Sequence, residues 1–241
     1  MTTESATSLH PEPQGTDLAA KLNWLRAGVL GANDGIVSVA AVAVGVAGVT
    51  TDNGPILAAG LAALAGGAIS MALGEYVSVS SQSDSQKHLI AKERQELRDE
   101  PEEEFEELVA LYEQKGLSKD LATKVAHELT EKDALRAHLD IELNIDPDEI
   151  VSPWHAAFAS AISFLCGAVL PLLAILLFPQ AIRVPLTFLV VLVALAITGA
   201  VGAWIGGGSR TRASVRVVIG GALALATTFA LGSLLGRAGA V

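Results

Sequence analysis

Residues 56–79 read ILAAGLAALAGGAISMALGEYVSV, an apolar run that contains a single carboxylate, Glu75. A helix needs roughly 20 residues to cross the hydrocarbon core of a bilayer, and this run is long enough. Backbone polar groups have no water partners in lipid, so we expect a helix rather than an open strand. The stretch therefore predicts a membrane-spanning segment.

Four further apolar runs have a similar length. They cover about residues 25–49, 154–178, 184–205 and 215–235. Short polar turns join the first span to the second and the third to the fourth, which indicates hairpins. Hydrophobic residues make up 51% of the chain and charged residues only 17%, as is usual for a helical membrane protein. We predict an all-α membrane protein with five transmembrane helices.

A long polar segment separates the second span from the third. Between Asp84 and Glu149 the sequence has 20 acidic and nine basic residues, so this segment accounts for the net charge of −10. Pro101 suits the first turn of a helix and Gly116 suits its end, and amphipathic helices are expected over 117–143. We predict a cytosolic helical bundle that binds metal. The predicted divisions are a disordered tail (1–21), a transmembrane hairpin (22–82), the bundle (83–150) and three further transmembrane helices (151–241).

The basic residues predict the orientation. In this topology 14 of the 16 lysines and arginines lie on one side, and only Arg183 and Arg237 lie on the other. Basic loops stay in the cytosol, so the N-terminus and the bundle should be cytosolic. The N-terminal residues do not resemble a signal peptide. Frequent alanine and glycine favour a bacterial plasma membrane, and a eukaryotic member would lie in a vacuolar membrane.

The acidic segment contains carboxylates at helical spacing. These residues are Glu93, Glu96, Glu104, Glu107 and Glu142. Like charges at this spacing destabilise a helix and raise one another's proton affinity, and a divalent cation relieves both effects. Oxygen ligands suit Mn²⁺ and Fe²⁺. His138 lies four residues before Glu142 and can share its face. The spacing alone is more typical of a solvated acidic helix, because Glu-rich helices are common.

Two carboxylates lie within predicted spans. Asp34 is about ten residues into the first span, and Glu75 is well inside the second. An ionised side chain at this depth costs at least about 2.5–3.5 kcal/mol, so such residues usually face a polar path. Met71, one turn before Glu75, offers a soft ligand for a transition metal. Alternatively, Asp34 caps a break in its helix, and the side chain of Glu75 reaches the nearby cytosolic membrane–water interface.

These motifs resemble the vacuolar iron transporter family over about residues 22–236. The resemblance is carried by RAGVLGANDGIVS (26–38), by GGAISMALGEYVSVSSQSD (66–84), and by the Glu-rich insert followed by three spans. It implies a homodimer with five membrane helices per chain, an ion path at the dimer interface, and exchange of Fe²⁺ for protons.

The resemblance also implies roles for individual residues. Asp34 matches the family's essential aspartate, Met71 its path-lining methionine and Glu75 the motif glutamate. The five insert glutamates match metal-binding positions. Plant members have a methionine pair where this sequence has His138 and Leu139; a histidine nitrogen can replace one sulfur, but leucine cannot bind metal.

We therefore expect a transporter that exports Fe²⁺, or Mn²⁺, from the cytosol by proton antiport. Co²⁺ and Zn²⁺ are further candidate substrates. No permanently bound cofactor, nucleic-acid partner or enzymatic activity is expected, since neither a phosphate-binding loop nor a nucleophile–base pair is evident. The alternatives are a membrane-anchored metal sensor that does not transport and a carrier of an organic solute.

Overall fold

A computed structural model describes residues 15–239, and in this range every regular element is helical. Seven α-helices follow one another along the chain. They are α1 (Gly15–Val49), α2 (Asn53–Asp99), α3 (Pro101–Gln114), α4 (Lys119–His138), α5 (Pro153–Leu177), α6 (Arg183–Ile205) and α7 (Arg210–Arg237). A π-helical turn (Leu139–Leu143) and a 3₁₀ turn (Pro147–Glu149) connect α4 to α5.

The five predicted spans are confirmed, because α1, α2, α5, α6 and α7 each contain a stretch long and apolar enough to cross a membrane. The start of α1 differs from the prediction. Residues 15–21, expected in a disordered tail, belong to this helix, and residues 1–14 lie outside the described range.

Helix α2 is much longer than a bilayer requires. Its 47 residues extend about 70 Å at 1.5 Å per residue, against about 30 Å of hydrocarbon. The apolar residues occupy its first half and the charged residues its second half, so only the first half suits the membrane. By their contacts the described residues divide into two compact units: residues 15–73 with 157–239, and residues 74–156.

The first unit, called the membrane unit below, is a bundle of apolar helices. In it α1 contacts α5, α6 and α7. Small residues allow this contact. A Cβ at Gly35 would collide with the carbonyl oxygen of Phe164 on α5, and one at Gly232 on α7 would collide with the carbonyl oxygen of Gly45 on α1. The absence of these side chains lets the helices approach closely enough to pack within the membrane.

The membrane half of α2 packs against α5. Gly67 lies against the buried ring of Phe164, and Gly60 lies against Leu172. Ile56, near the start of α2, is fully buried in the same core cluster. Close-packed contacts of this kind stabilise helix pairs in lipid, where no hydrophobic driving force operates between them.

The second unit has its own core. Leu108 and Val109 of α3 pack against Ala122 and Ala126 of α4. Leu121 is half exposed, whereas the two alanines of the same helix face the core. Small side chains at these positions bring α3 and α4 close together.

Two irregularities shape the end of α4. Asp133 has extended backbone angles (φ −167°, ψ 92°), and its carboxylate accepts a hydrogen bond from the backbone N–H of Arg136, which starts a new helical segment. After His138 the helix widens into the π-helical turn, which ends at Asn144 in the left-handed conformation (φ 50°). Such π-turns are frequent at functional sites.

Candidate metal site

Three metal-ligating side chains from different helices meet inside the second unit. Glu93 comes from the polar half of α2, Glu104 from the first turn of α3 and His138 from the last turn of α4. Each offers one ligand atom, and the three atoms lie within 4.8 Å of one another. All three residues are buried, which is rare for glutamate.

The imidazole nitrogen of His138 lies at the centre of this group. Its Nδ1 is 3.0 Å from Oε1 of Glu93 and 3.5 Å from Oε2 of Glu104. Oε2 of Glu142, which extends from the π-helical turn, is 3.8 Å from the same nitrogen. Glu142 is the most accessible of the four and lies at the margin of the group.

Two atoms in this group are buried without a hydrogen-bond partner. They are Oε1 of Glu93 and Nδ1 of His138. These two atoms are 3.0 Å apart, but they are not aligned for a hydrogen bond. A buried unsatisfied polar group costs about 1–3 kcal/mol. Two ligands about 2.1 Å from one metal ion lie about 3 Å apart when the angle between them is near 90°. A transition-metal ion bound by both atoms would remove this cost.

Burial controls the protonation of the cluster. It raises the pKa of Glu93 to about 7, with a smaller contribution from the Glu142 and Glu104 carboxylates. Burial, followed by the charge of Glu107, also raises the pKa of Glu104 and of Glu142. Burial lowers the pKa of His138, which keeps its imidazole neutral and able to bind metal.

Two predicted ligands lie outside the buried group. The Glu96 carboxylate is bound by Nζ of Lys92 at 2.6 Å, and Glu107 is exposed on α3. The charge of Lys92 partly offsets the mutual repulsion of the carboxylates. The i,i+4 spacing of Lys92 and Glu96 was the sequence signal that could have identified this pair. Both glutamates remain predicted members of a wider acidic site.

The predicted path residues occupy helices of the expected kind. Asp34 is half-buried in α1, and its Oδ1 accepts a hydrogen bond of 2.8 Å from Oγ of Ser38. Because α1 is continuous here, the alternative that Asp34 caps a helix break is wrong. Met71 packs against the core of the membrane unit. Glu75 is half-buried in the second unit and forms no hydrogen bond or ion pair with a described residue.

Sequence reasoning missed two polar contacts in the membrane unit. Oγ1 of Thr198 on α6 donates a hydrogen bond to Oδ1 of Asn33 on α1. Arg183, at the start of α6, is buried, and its Nη1 donates to the carbonyl oxygen of Thr51 at 3.3 Å. A threonine inside an otherwise apolar span was the available signal for the first contact. Both contacts join segments that are distant in the sequence.

Residues 25–233 of the chain match the model of the VIT family. A vacuolar iron transporter of Acanthamoeba castellanii is 46% identical over 212 residues, which cover 88% of this chain and 78% of that protein. Vacuolar iron transporter homolog 2.1 of Arabidopsis thaliana is 33% identical over 94% of this chain and 88% of its own length. Vacuolar iron transporter homolog 1 of Oryza sativa is 37% identical over 93% of this chain and 79% of its own length.

Proposed function

The chain belongs to the VIT family, and from that premise we propose that it transports Fe²⁺ out of the cytosol in exchange for protons. The observation that carries the proposal is the buried meeting of Glu93, Glu104 and His138, with two ligand atoms that lack partners. One nitrogen and several carboxylate oxygens suit Fe²⁺ and also accommodate Mn²⁺, Co²⁺ or Zn²⁺.

The cluster serves as the loading site. Residues 83–150 face the cytosol, and the acidic side chains of this segment raise the local concentration of cations. Binding requires deprotonated carboxylates, so a Glu93 with a pKa of about 7 releases its proton when a metal ion enters at neutral pH. Metal capture is thereby linked to proton release.

Three residues conduct the ion across the bilayer. The ion moves from the loading site to Glu75 and Met71 and then to Asp34. At Asp34 the metal replaces the hydrogen bond from Ser38, and a proton from the far side later returns the carboxylate to its resting state. The path lies at the interface of a homodimer. The distribution of basic residues favours a cytosolic N-terminus and insert, and the frequent alanine and glycine favour a bacterial plasma membrane.

A membrane-anchored metal sensor is the second candidate. The observation that favours it is that the donor atoms of the buried cluster are already close together, an arrangement suited to tight binding. A sensor binds metal at the cluster without moving it across the bilayer. Flux through reconstituted vesicles therefore separates the two functions.

The test is uptake of Fe²⁺ into proteoliposomes that contain an internal metal-quenched dye and a pH dye. We expect metal-dependent quenching coupled to opposite proton movement, and loss of both in Asp34→Asn and Glu75→Gln. Asp52→Asn, an exposed carboxylate in the α1–α2 turn, is the matched control. Binding without flux in the unmodified protein would favour the sensor, and normal flux in both path variants would refute the path.

A further inference from the structure

We infer that the end of the α6–α7 loop and the first two turns of α7 bind the phosphate of an anionic phospholipid. An open groove of about 620 Å³ lies at this loop, lined by Ser209, Thr211, Arg212, Val215 and Arg216. Two guanidinium groups and two hydroxyl groups in one groove provide the donors that a phosphate ester requires.

The groove lies at the ends of two membrane-spanning helices. Helix α6 ends at Ile205 and α7 begins at Arg210, and both helices are apolar enough to cross the bilayer. The loop between them is therefore at the depth of the lipid headgroups. Trp204 is exposed here, with the guanidinium carbon of Arg210 5.7 Å from its ring centre. Tryptophan is typical of this interface.

The three arginines in the first two turns of α7 have no anionic partner among the described residues. Arg210, Arg212 and Arg216 are exposed, and none of them forms an ion pair with a described side chain, although the chain as a whole is acidic. Arginine forms two parallel hydrogen bonds with a phosphate, which lysine cannot do. Their charge is complementary to an anionic headgroup.

The apolar surroundings of the groove distinguish a lipid from a soluble phosphate. Val215 lines the groove and is exposed, and Ile219 continues the exposed surface one turn further along α7. Val201 and Ile205 are exposed on the last turns of α6. Acyl chains can lie along these side chains while the phosphate occupies the groove. A free phosphate ion has no acyl chains to cover this surface.

Native mass spectrometry of the full chain in detergent tests the inference, with equal amounts of phosphatidylglycerol and phosphatidylcholine as probes. We expect preferential binding of phosphatidylglycerol. The double variant Arg212→Gln/Arg216→Gln should lower its apparent affinity roughly 30-fold at low salt, because each interfacial charge contributes to lipid attraction. Arg237→Gln, an exposed arginine at the opposite end of α7, should leave the affinity unchanged.

A charge-preserving variant and a soluble competitor complete the design. Arg212→Lys/Arg216→Lys should retain most of the affinity, and added salt should release the lipid from the unmodified protein. Inorganic phosphate at the lipid concentration should displace none of it. Equal binding of both lipids, unchanged affinity in the glutamine variant, or displacement by equimolar phosphate would each overturn the assignment to a phospholipid.

Discussion

The two carboxylate regions of the molecule differ in how their oxygens are satisfied. In the second unit, Glu93 and His138 come from different helices, approach to 3.0 Å and leave two buried atoms without partners. In the membrane unit, the Asp34 carboxylate accepts a hydrogen bond from Ser38 on its own helix. The first arrangement is ready for a cation, whereas a cation at Asp34 must first displace an existing contact.

This difference matches the two tasks that the proposed transport mechanism requires. A loading site must capture a scarce ion, and a preformed set of ligands achieves this without reorganisation. A site within the proposed path must release the ion again, and competition from a local hydrogen bond would weaken binding there. The comparison predicts that the two regions can be disabled independently.

The largest expected effect comes from removing one ligand from the cluster. Glu93→Gln should lower Fe²⁺ affinity at least about 100-fold in calorimetry, because even changes outside the ligand shell cost 10- to 100-fold. Asp34→Asn should leave this affinity unchanged while abolishing flux. Glu103→Gln, an exposed carboxylate beside Glu104, is the control. Equal losses in Glu93→Gln and Glu103→Gln would mean that only the general negative charge matters.

The next effect concerns the single nitrogen ligand. His138→Leu should weaken binding of Fe²⁺ more than binding of Mn²⁺ and so lower the ratio of the two affinities about tenfold, because nitrogen favours Fe²⁺ over the harder Mn²⁺. Titration with both metals measures the change in their affinity ratio. His127→Leu, at an exposed position beside Glu131, should leave the ratio unchanged. If the ratio is also unchanged in His138→Leu, the imidazole does not bind the metal.

The smallest expected effect is on the pH dependence of stability. The raised pKa of Glu93 means that the folded state holds a proton that the unfolded chain releases, so stability without metal should fall as the pH rises through about 7. Between about pH 6.5 and 8 the loss should reach about 1 kcal/mol. The lowered pKa of His138 acts in the opposite direction, because protonation of the unfolded chain reduces stability as the pH falls through about 6.5.

Thermal unfolding at these two pH values, with and without metal, measures this effect. Bound metal should remove the pH dependence, because it replaces the proton on Glu93. Glu93→Gln should also remove it, since glutamine does not titrate. A loss of stability that persists in Glu93→Gln would assign the pH dependence to another group.

Several features of the molecule follow from local sequence. The lengths of the five apolar runs determined the spans, since a bilayer imposes the same minimum on each helix. Pro101 and Gly116 determined the limits of α3: proline suits a helix start, and Gly116 has a positive φ of 99° that other residues rarely adopt. The sequence also identified Glu93, Glu104 and His138 as candidate ligands.

Only the tertiary structure decided which candidates meet. The extended Asp133 and the π-helical turn after His138 are departures from helical periodicity, so spacing could not place that imidazole against Glu93. Glu96 lies three residues after Glu93, a spacing that predicts a shared helix face. Its carboxylate nevertheless pairs with Lys92 outside the buried group. Periodicity determines which residues share a face of one helix. The direction of that face depends on how α2, α3 and α4 pack, and packing depends on contacts between residues far apart in the chain.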